Sequence, residues 1–197
     1  MKEVFHEAIQ RLKKDEPVVI ATVVKTKGST PQKPGAKLLV RQDGTGAGTL
    51  GGGCVEGDIW FAAKQMMDQG EPSDYREYEL NEDLAADDGL VCGGTMYFLI
   101  DPVYESSEYL PFAKEIDAAY EGNGSVALAS IVKSSLDGKS KIGDKLFVRE
   151  DGSTEGTLGN SDMDLEAVSK AHNLMIHGNN EYITLEDQKT LQLILLM

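Results

Sequence analysis

The same pattern of residues occurs twice in this sequence, 108 positions apart and without a gap. The matched pairs include Val18 with Val126, Lys37 with Lys145, Gly44 with Gly152, Gly48 with Gly156 and Leu50 with Leu158. A repeat of this length indicates that one structural unit has been used twice. We therefore expect two units, residues 1–104 and residues 105–197, packed on each other.

Each copy carries the same order of secondary-structure signals. An amphipathic helix comes first, and a β-branched strand follows it at residues 18–25 or 126–132. Asp43-Gly44 and its counterpart Asp151-Gly152 each separate two short strands, which is a strong hairpin signal. A second helix is expected over residues 55–67 and should end near Gly70. The corresponding helix of the second copy should end near Gly178. One or two strands close each copy.

These signals predict an α+β fold. It is expected to be an internally duplicated helix-hairpin-helix-strand unit with a mixed, mainly antiparallel sheet. A pseudo-twofold arrangement of the units would leave sheet edges exposed, and from these edges we expect a homodimer.

Composition excludes several functional classes. The chain has 19 basic and 33 acidic residues, a formal net charge of −14, which argues against a general nucleic-acid binder. No run approaches the roughly 18 apolar residues that a membrane span requires, and the charged N-terminus does not resemble a signal sequence, so we expect a cytoplasmic protein with no membrane partner. Two cysteines cannot form a disulfide framework, and no zinc-ligand spacing is present.

The acidic residues are concentrated in the middle of the chain. Residues 1–67 hold ten basic and seven acidic side chains, whereas residues 68–117 hold two basic and fourteen acidic ones. Such a segment is commonly a solvated face around a long loop. The alternative is an acidic docking surface for a basic partner.

Differences between the copies mark candidates for chemistry, because the requirements of folding should recur in both. The first copy has the sequence GGGCVEG at residues 51–57, where the second has GNSDMDL. It also has KGSTPQKP at residues 27–34, and a long acidic insertion that ends in VCGG at residues 91–94.

Glycines 51–53 directly precede a predicted helix, so their backbone amides can form an anion pocket at the helix N-terminus. The same position would favour the thiolate of Cys54. The alternative is a tight turn that merely leads into the helix. The other candidate residues also have structural explanations that involve no ligand. Cys92 could be a small buried side chain, and Ser29, Thr30, Lys33 and Lys37 could belong to an ordinary proline-stiffened loop.

Residues 46–51 spell GxGxxG after a strand, but a nicotinamide-binding helix would start within this motif. Here the apolar helical period begins only at Val55, and the second copy retains Gly48 and Gly51 as Gly156 and Gly159. We therefore interpret these glycines as hairpin structure and expect no NAD site. The three histidines form no pair with a nucleophile, so the sequence gives no support to autonomous hydrolase chemistry.

Four of these motifs together resemble the XdhC/CoxI family of accessory factors for xanthine dehydrogenase and carbon monoxide dehydrogenase. They are GSTP at residues 28–31, PGAK at 34–37, GTLGGGC at 48–54 and CGG at 92–94, in that order. The resemblance is sharp over residues 18–103 and fainter over the second copy. Longer family members continue into a C-terminal Rossmann-like domain. By this resemblance the chain is either a short member without that domain, which works with a separate Rossmann-domain subunit, or the N-terminal part of such a system.

The resemblance implies a maturation factor that binds the molybdenum cofactor, supports its sulfuration and delivers it to a molybdenum hydroxylase apoenzyme. A cysteine desulfurase is a further implied partner. Carried over by motif, the implied cofactor site comprises Ser29, Thr30, Lys33, Lys37, Gly51, Gly52, Gly53, Cys54, Glu56, Cys92, Gly93 and Gly94. Cys54 and Cys92 would supply soft sulfur near the metal.

Two alternative functions remain open from the sequence. In one, the chain is a sulfur-transfer enzyme with Cys54 as its catalytic nucleophile. In the other, it is a protein-interaction module whose acidic insertion docks the dehydrogenase without touching the cofactor.

Overall fold

The computed structural model describes residues 1–80, 93–133, 140–177, 180–184 and 192–196, with four helices and ten strands among them. The helices are α1 (Lys2–Leu12), α2 (Gly53–Gln69), α3 (Ser106–Tyr120) and α4 (Ser161–His177). The strands are β1 (Val18–Gly28), β2 (Lys37–Arg41), β3 (Gly46–Gly48), β4 (Asp74–Glu79), β5 (Gly94–Val103), β6 (Val126–Ile131), β7 (Lys145–Arg149), β8 (Thr154–Gly156), β9 (Glu181–Thr184) and β10 (Gln192–Leu196). None of the described helices is long and apolar enough to span a membrane.

The strands form two five-stranded sheets. The first has the order β3-β2-β1-β5-β4 and the second β8-β7-β6-β10-β9, and every neighbouring pair is antiparallel. The α+β class predicted from the sequence is therefore confirmed. Corresponding strands occupy corresponding places in the two sheets, although the central strand of the first sheet is longer, with 11 residues in β1 against six in β6.

The predicted hairpins are present in both halves. Gly44 and Gly152 adopt φ values of +80° and +83°, which glycine reaches without strain. Asp43 accepts a hydrogen bond from the amide of Thr45 at 2.9 Å, and Asp151 accepts one from that of Ser153 at 2.9 Å. An aspartate that bonds to the backbone two residues ahead closes the turn, so sequence and geometry agree at both sites.

Helix α2 ends where the sequence predicts but begins earlier. Gly70 is the C-cap with a left-handed φ of +67°, and its amide donates to the carbonyl of Met66. The first helical residue is Gly53 rather than Val55, because the N-terminal turn presents glycine and cysteine and therefore shows no apolar periodicity. Gly178 lies outside the described residues.

One core cluster of the described residues is shared by the two halves. Helices α1 and α3 pack together on the inward faces of both sheets, where Phe5, Phe112 and Phe147 are buried. Helix α2 covers the other face of the first sheet, and α4 covers the other face of the second. The two halves of the chain thus share common apolar contacts, and the N-terminus of α2 lies beside the glycine-rich end of β1 and β5.

Candidate functional site

Two of the predicted motifs meet where β1 ends and β5 begins. Gly28 pairs with Gly94. A side chain at Gly94 would lie 2.5 Å from the carbonyl oxygen of Ser29, and one at Gly28 would lie 2.8 Å from that of Gly93. The strand ends approach each other more closely than a Cβ atom allows, so the fold requires glycine at both paired positions.

The loop before α2 packs against the same turn. Gly51 has a φ of +111°, and a Cβ atom there would lie 2.7 Å from the Cβ of Pro31. The turn that contains Ser29 and Thr30 therefore lies between two glycine motifs that are far apart in the sequence. Ser29 is exposed, whereas the Thr30 hydroxyl donates to the carbonyl of Gln32 at 3.0 Å.

The amides of the glycine loop are already partly occupied by a side chain of the protein. One carboxylate oxygen of Glu56 accepts from the Thr49 hydroxyl at 2.6 Å, from the Leu50 amide at 2.6 Å and from the Gly52 amide at 3.0 Å. The Gly51 amide donates to the Thr49 hydroxyl at 3.0 Å. Partial burial raises the pKa of Glu56, but these hydrogen bonds outweigh it and hold the pKa below its ordinary value.

The same arrangement occurs in the second half, which lacks the glycine run and the cysteine. Asp164 accepts from the Thr157 hydroxyl and the Leu158 amide, both at 2.7 Å, and the Gly159 amide donates to Thr157 at 3.0 Å. A contact present in both halves is explained by folding. It therefore gives Glu56 a structural role and does not support its predicted contact with a ligand, nor a phosphate on the amides of Gly51 and Gly52.

The start of α2 leaves other groups accessible. Gly53, Cys54 and Val55 are its first three residues, whose amides have no acceptor within the helix. Cys54 lies in the first turn of α2, as the sequence predicts. Its side chain is exposed, so the sulfur is accessible from solvent. Cys92 lies outside the described residues.

The two predicted lysines differ in environment. Lys33 is exposed beside the glycine loops. Lys37 is only 3% exposed, and its ammonium donates to the Thr22 hydroxyl at 2.9 Å and lies 5.9 Å from the ring centre of Phe5. Burial lowers the pKa of Lys37 to about 7, although the charge of Asp101 opposes this. Its position gives no support to direct contact with a ligand.

Open space borders several glycines at this end of the molecule. A Cβ atom at Gly52, Gly53, Gly57 or Gly93 would meet no atom of the described residues within 4 Å. Positive φ values of +75° and +71° explain the first two, but Gly57 lies inside α2 with neither strain nor crowding. Glycine within a helix lowers stability by roughly 0.5–1 kcal/mol relative to alanine, so neither backbone geometry nor packing among the described residues explains glycine at position 57. The sequence contained this signal, a glycine one turn after Cys54, but pattern alone could not show that the space around it is open.

Comparison with known proteins identifies similar sequences. The sequence profile of the XdhC and CoxI family matches residues 11–79 and 119–186. A protein from Bacillus subtilis (strain 168), named as a probable subunit of xanthine dehydrogenase, is 30% identical over 132 residues, which is 66% of this chain and 38% of that protein. The molybdenum cofactor insertion chaperone PaoD from Escherichia coli (strain K12) is 32% identical over 75 residues, which is 38% of this chain and 24% of PaoD.

A solved structure is also similar. The crystal structure of a xanthine dehydrogenase from Bacillus halodurans superposes with a TM-score of 0.57 at 26% sequence identity, covering 76% of this chain and 44% of that one. The chain thus spans less than half the length of each of these relatives. The profile matches extend over more than half of the chain, in both of its halves. These matches show that the chain belongs to the XdhC and CoxI family.

Proposed function

We propose that this protein binds the molybdenum cofactor and delivers it to a molybdenum hydroxylase of the xanthine dehydrogenase or carbon monoxide dehydrogenase type. The observation that carries the proposal is the meeting of the Gly28–Pro31 turn, the Gly51–Gly53 loop and the Gly93-Gly94 pair beside the exposed thiol of Cys54. The names of two relatives, the first a xanthine dehydrogenase component and the second a cofactor insertion chaperone, support the same function.

The chemistry of the cargo matches the groups at this site. The cofactor is a phosphorylated pterin dithiolene that carries molybdenum, so it has a soft, sulfur-ligated end and an anionic end. Cys54, with Cys92 as a second thiol, would contact the metal end, because thiolates are ligands for soft metal–sulfur centres. The open surface at Gly53, Gly57 and Gly93 would allow the cargo to lie directly on the backbone.

The anionic end would bind at the turn rather than on the glycine loop. The carboxylate of Glu56 already accepts hydrogen bonds from the amides of Leu50 and Gly52, so an anion placed there would meet a like charge. Ser29 and Lys33 are exposed on the neighbouring turn and offer a hydroxyl and an ammonium. Thr30 would complete this polar edge, whereas Lys37 would act from beneath the surface, as part of the support for β2.

The proposal also includes the sulfuration of the cargo, the location of the protein and its oligomeric state. The cargo would be delivered with or after sulfuration, with a cysteine desulfurase as the sulfur source, in the cytoplasm, and the protein would act as a homodimer. Size-exclusion chromatography with light scattering tests the dimer, and a mass near the 21.4 kDa of one chain would contradict it.

Cofactor analysis of the purified protein tests the central claim. Protein prepared anaerobically from a molybdate-replete host should contain molybdenum and release the fluorescent oxidised pterin, and Cys54→Ser should retain at least tenfold less. Cys54 is exposed, so this substitution should leave the thermal unfolding midpoint unchanged. Absence of both pterin and molybdenum from the parent protein would overturn the proposal.

A matched pair of lysine variants tests the position of the anionic end. Lys33→Gln removes the exposed charge at the turn, and Lys141→Gln makes the same change at the corresponding exposed position of the second half. Only Lys33→Gln should reduce the pterin content. An equal effect of both variants would show that net charge, rather than a site at the turn, governs retention.

The exposed thiol at a helix N-terminus also favours a second candidate function, in which Cys54 carries sulfur as a persulfide. Incubation with a cysteine desulfurase and cysteine, followed by alkylation and mass spectrometry, distinguishes the two. A persulfide on Cys54 whose outer sulfur passes to added cofactor, with an added thiol reductant supplying the two electrons and Cys54 returning to the thiol, would support sulfur transfer. Tight cofactor retention without a persulfide would support the chaperone function alone.

A further inference from the structure

Each half of the molecule has a pocket between the start of its first helix and the base of its hairpin. The α1 pocket has a volume of about 310 Å3 and is lined in part by Glu3, Lys33 and the segment Gly35–Lys37. The α3 pocket is larger, about 480 Å3, and is lined in part by Glu108, Tyr109 and the segment Gly143–Lys145. The two correspond in position, because residues 35–37 align with residues 143–145 in the repeat.

The charges of the two pockets differ. The α1 pocket has one acidic residue and an exposed lysine on its wall. Four acidic residues line the α3 pocket: Glu105, Glu108, Asp144 and Glu155. Since the first half forms its pocket without this acidity, the fold does not require it.

Two of these four carboxylates are available to a ligand. Glu155 is paired with Arg149 at 2.9 Å, and Asp144 accepts a hydrogen bond from the Lys141 amide at 2.7 Å. Glu105 and Glu108 are exposed at the start of α3 and form no ion pair within the described part of the chain. The one basic residue of the pocket, Lys145, is 2.9 Å from a carboxylate oxygen of Asp101, which balances its charge.

Aromatic side chains form the apolar part of the α3 pocket. Tyr109 and Phe112 are 6% and 8% exposed, and Phe112 stacks on Phe147 with ring centres 5.0 Å apart. The hydroxyl oxygen of Tyr104 lies 2.9 Å from the carbonyl oxygens of both Met66 and Glu71, so its single proton can be donated to either one, and the ring is held at the side of the pocket. Because Tyr109 and Phe112 are almost fully buried, they would contact a basic side chain through their exposed edges, which can pack against its methylene stem.

We propose that the α3 pocket binds an arginine or lysine side chain presented by a partner protein. Among the described residues, the lining of the pocket has four carboxylates and one ammonium, which is itself paired with Asp101. This excess of negative charge steers a basic protein surface towards the pocket. The inference does not require that the protein carries any cofactor, so it can fail or succeed independently of the proposed function.

A peptide titration followed by NMR of the full chain tests the proposal. The probe is acetyl-Leu-Arg-Leu-amide, and its control is the citrulline analogue, which has nearly the same shape and no charge. Saturable shifts are expected for the amides around Tyr104, Glu108 and Asp144, with the citrulline peptide binding at least fivefold more weakly. Equal binding of the two peptides, or shifts confined to other surfaces, would overturn the proposal.

Two double variants separate the pocket from the general acidity. Glu105→Gln with Glu108→Gln should weaken binding of the arginine peptide at least fivefold. Glu3→Gln with Glu166→Gln removes the same charge from exposed positions outside the pocket and should change it less than twofold. Equal weakening by both pairs would leave only non-specific attraction. Guanidinium ion alone binding as tightly as the peptide would show a small-cation site and likewise contradict a protein partner.

Discussion

At the scale of single residues, substitution of Gly57 should change stability and the proposed function in opposite directions. It lies on the exposed side of α2 with ordinary helical geometry and open space around it. Gly57→Ala should therefore raise the free energy of unfolding by about 0.5–1 kcal/mol, because alanine loses less backbone entropy in a helix. Under the proposed function, the added methyl group should reduce the pterin and molybdenum retained after purification. Urea unfolding and cofactor analysis of the same preparation measure both effects.

Gly70→Ala provides the control for this prediction. Gly70 also has open space around it, but its φ is +67°, where a Cβ atom is strained. This variant should lower the free energy of unfolding by about 1 kcal/mol and leave cofactor retention unchanged. If Gly57→Ala proved destabilising, or had no effect on retention, the idea that Gly57 is kept for a close approach would be wrong.

At the scale of elements, a carboxylate that reaches back over the preceding loop fixes the start of α2, and Asp164 does the same for α4. Glu56→Ala leaves the Leu50 and Gly52 amides without their acceptor, so it should lower the free energy of unfolding by about 1–2 kcal/mol. Asp164→Ala is the matched variant in the second half and should have an effect of similar size. Urea unfolding at pH 7 measures both. A loss confined to Glu56→Ala would show that the two loops are not equivalent.

The contribution of Glu56 should also depend on pH. Its pKa lies below the ordinary value of 4.5 in the folded state, so the unfolded state binds more protons in that range. The stability that this carboxylate supplies is therefore fully present above about pH 5 and is lost as the pH falls through the folded-state pKa. The difference between the parent and Glu56→Ala should shrink as the pH falls below about 4. A difference that stayed constant down to about pH 3 would show that its charge is irrelevant.

Local signals predict some elements and miss others for physical reasons. The Asp43-Gly44 turn and the C-cap at Gly70 depend on residues adjacent in the sequence, so both follow from local patterns. The first turn of α2 does not, because Gly53 and Cys54 carry no apolar period. The bond from Glu56 to Leu50 crosses a loop whose path the sequence does not reveal. The candidate site is likewise predictable only in part. The order of the motifs identifies its glycines, but the pairing of β1 with β5, which brings them together, cannot be read from local sequence.

At the scale of the whole molecule, the two halves share a buried polar group as well as an apolar core. Asp101 in β5 of the first half is 5% exposed and accepts hydrogen bonds from Ser73 at 2.7 Å and from Lys145 of the second half at 3.0 Å. Lys37, at the position that corresponds to Lys145, feels the charge of Asp101 but donates to Thr22 instead. The environments of Lys37 and Lys145 therefore differ, because the Asp101 carboxylate accepts a hydrogen bond from Lys145, whereas Lys37 donates to Thr22. Sequence alignment of the halves could not predict this difference.

This asymmetry predicts opposite outcomes for two matched substitutions. Burial lowers the pKa of Lys37 from 10.5 to about 7, so between these values the unfolded state binds the additional proton and stability rises with pH. The free energy of unfolding of the parent should increase by about 1 kcal/mol per pH unit between about pH 7.5 and 9, and Lys37→Met should remove this slope. Lys145→Met should keep the slope but lower stability by about 2–4 kcal/mol throughout, because it leaves Asp101 buried without its cation. Urea unfolding at a series of pH values measures both variants. Parallel pH profiles for the parent and Lys37→Met would show that Lys37 is charged in the folded state, which its burial beside a single hydroxyl opposes.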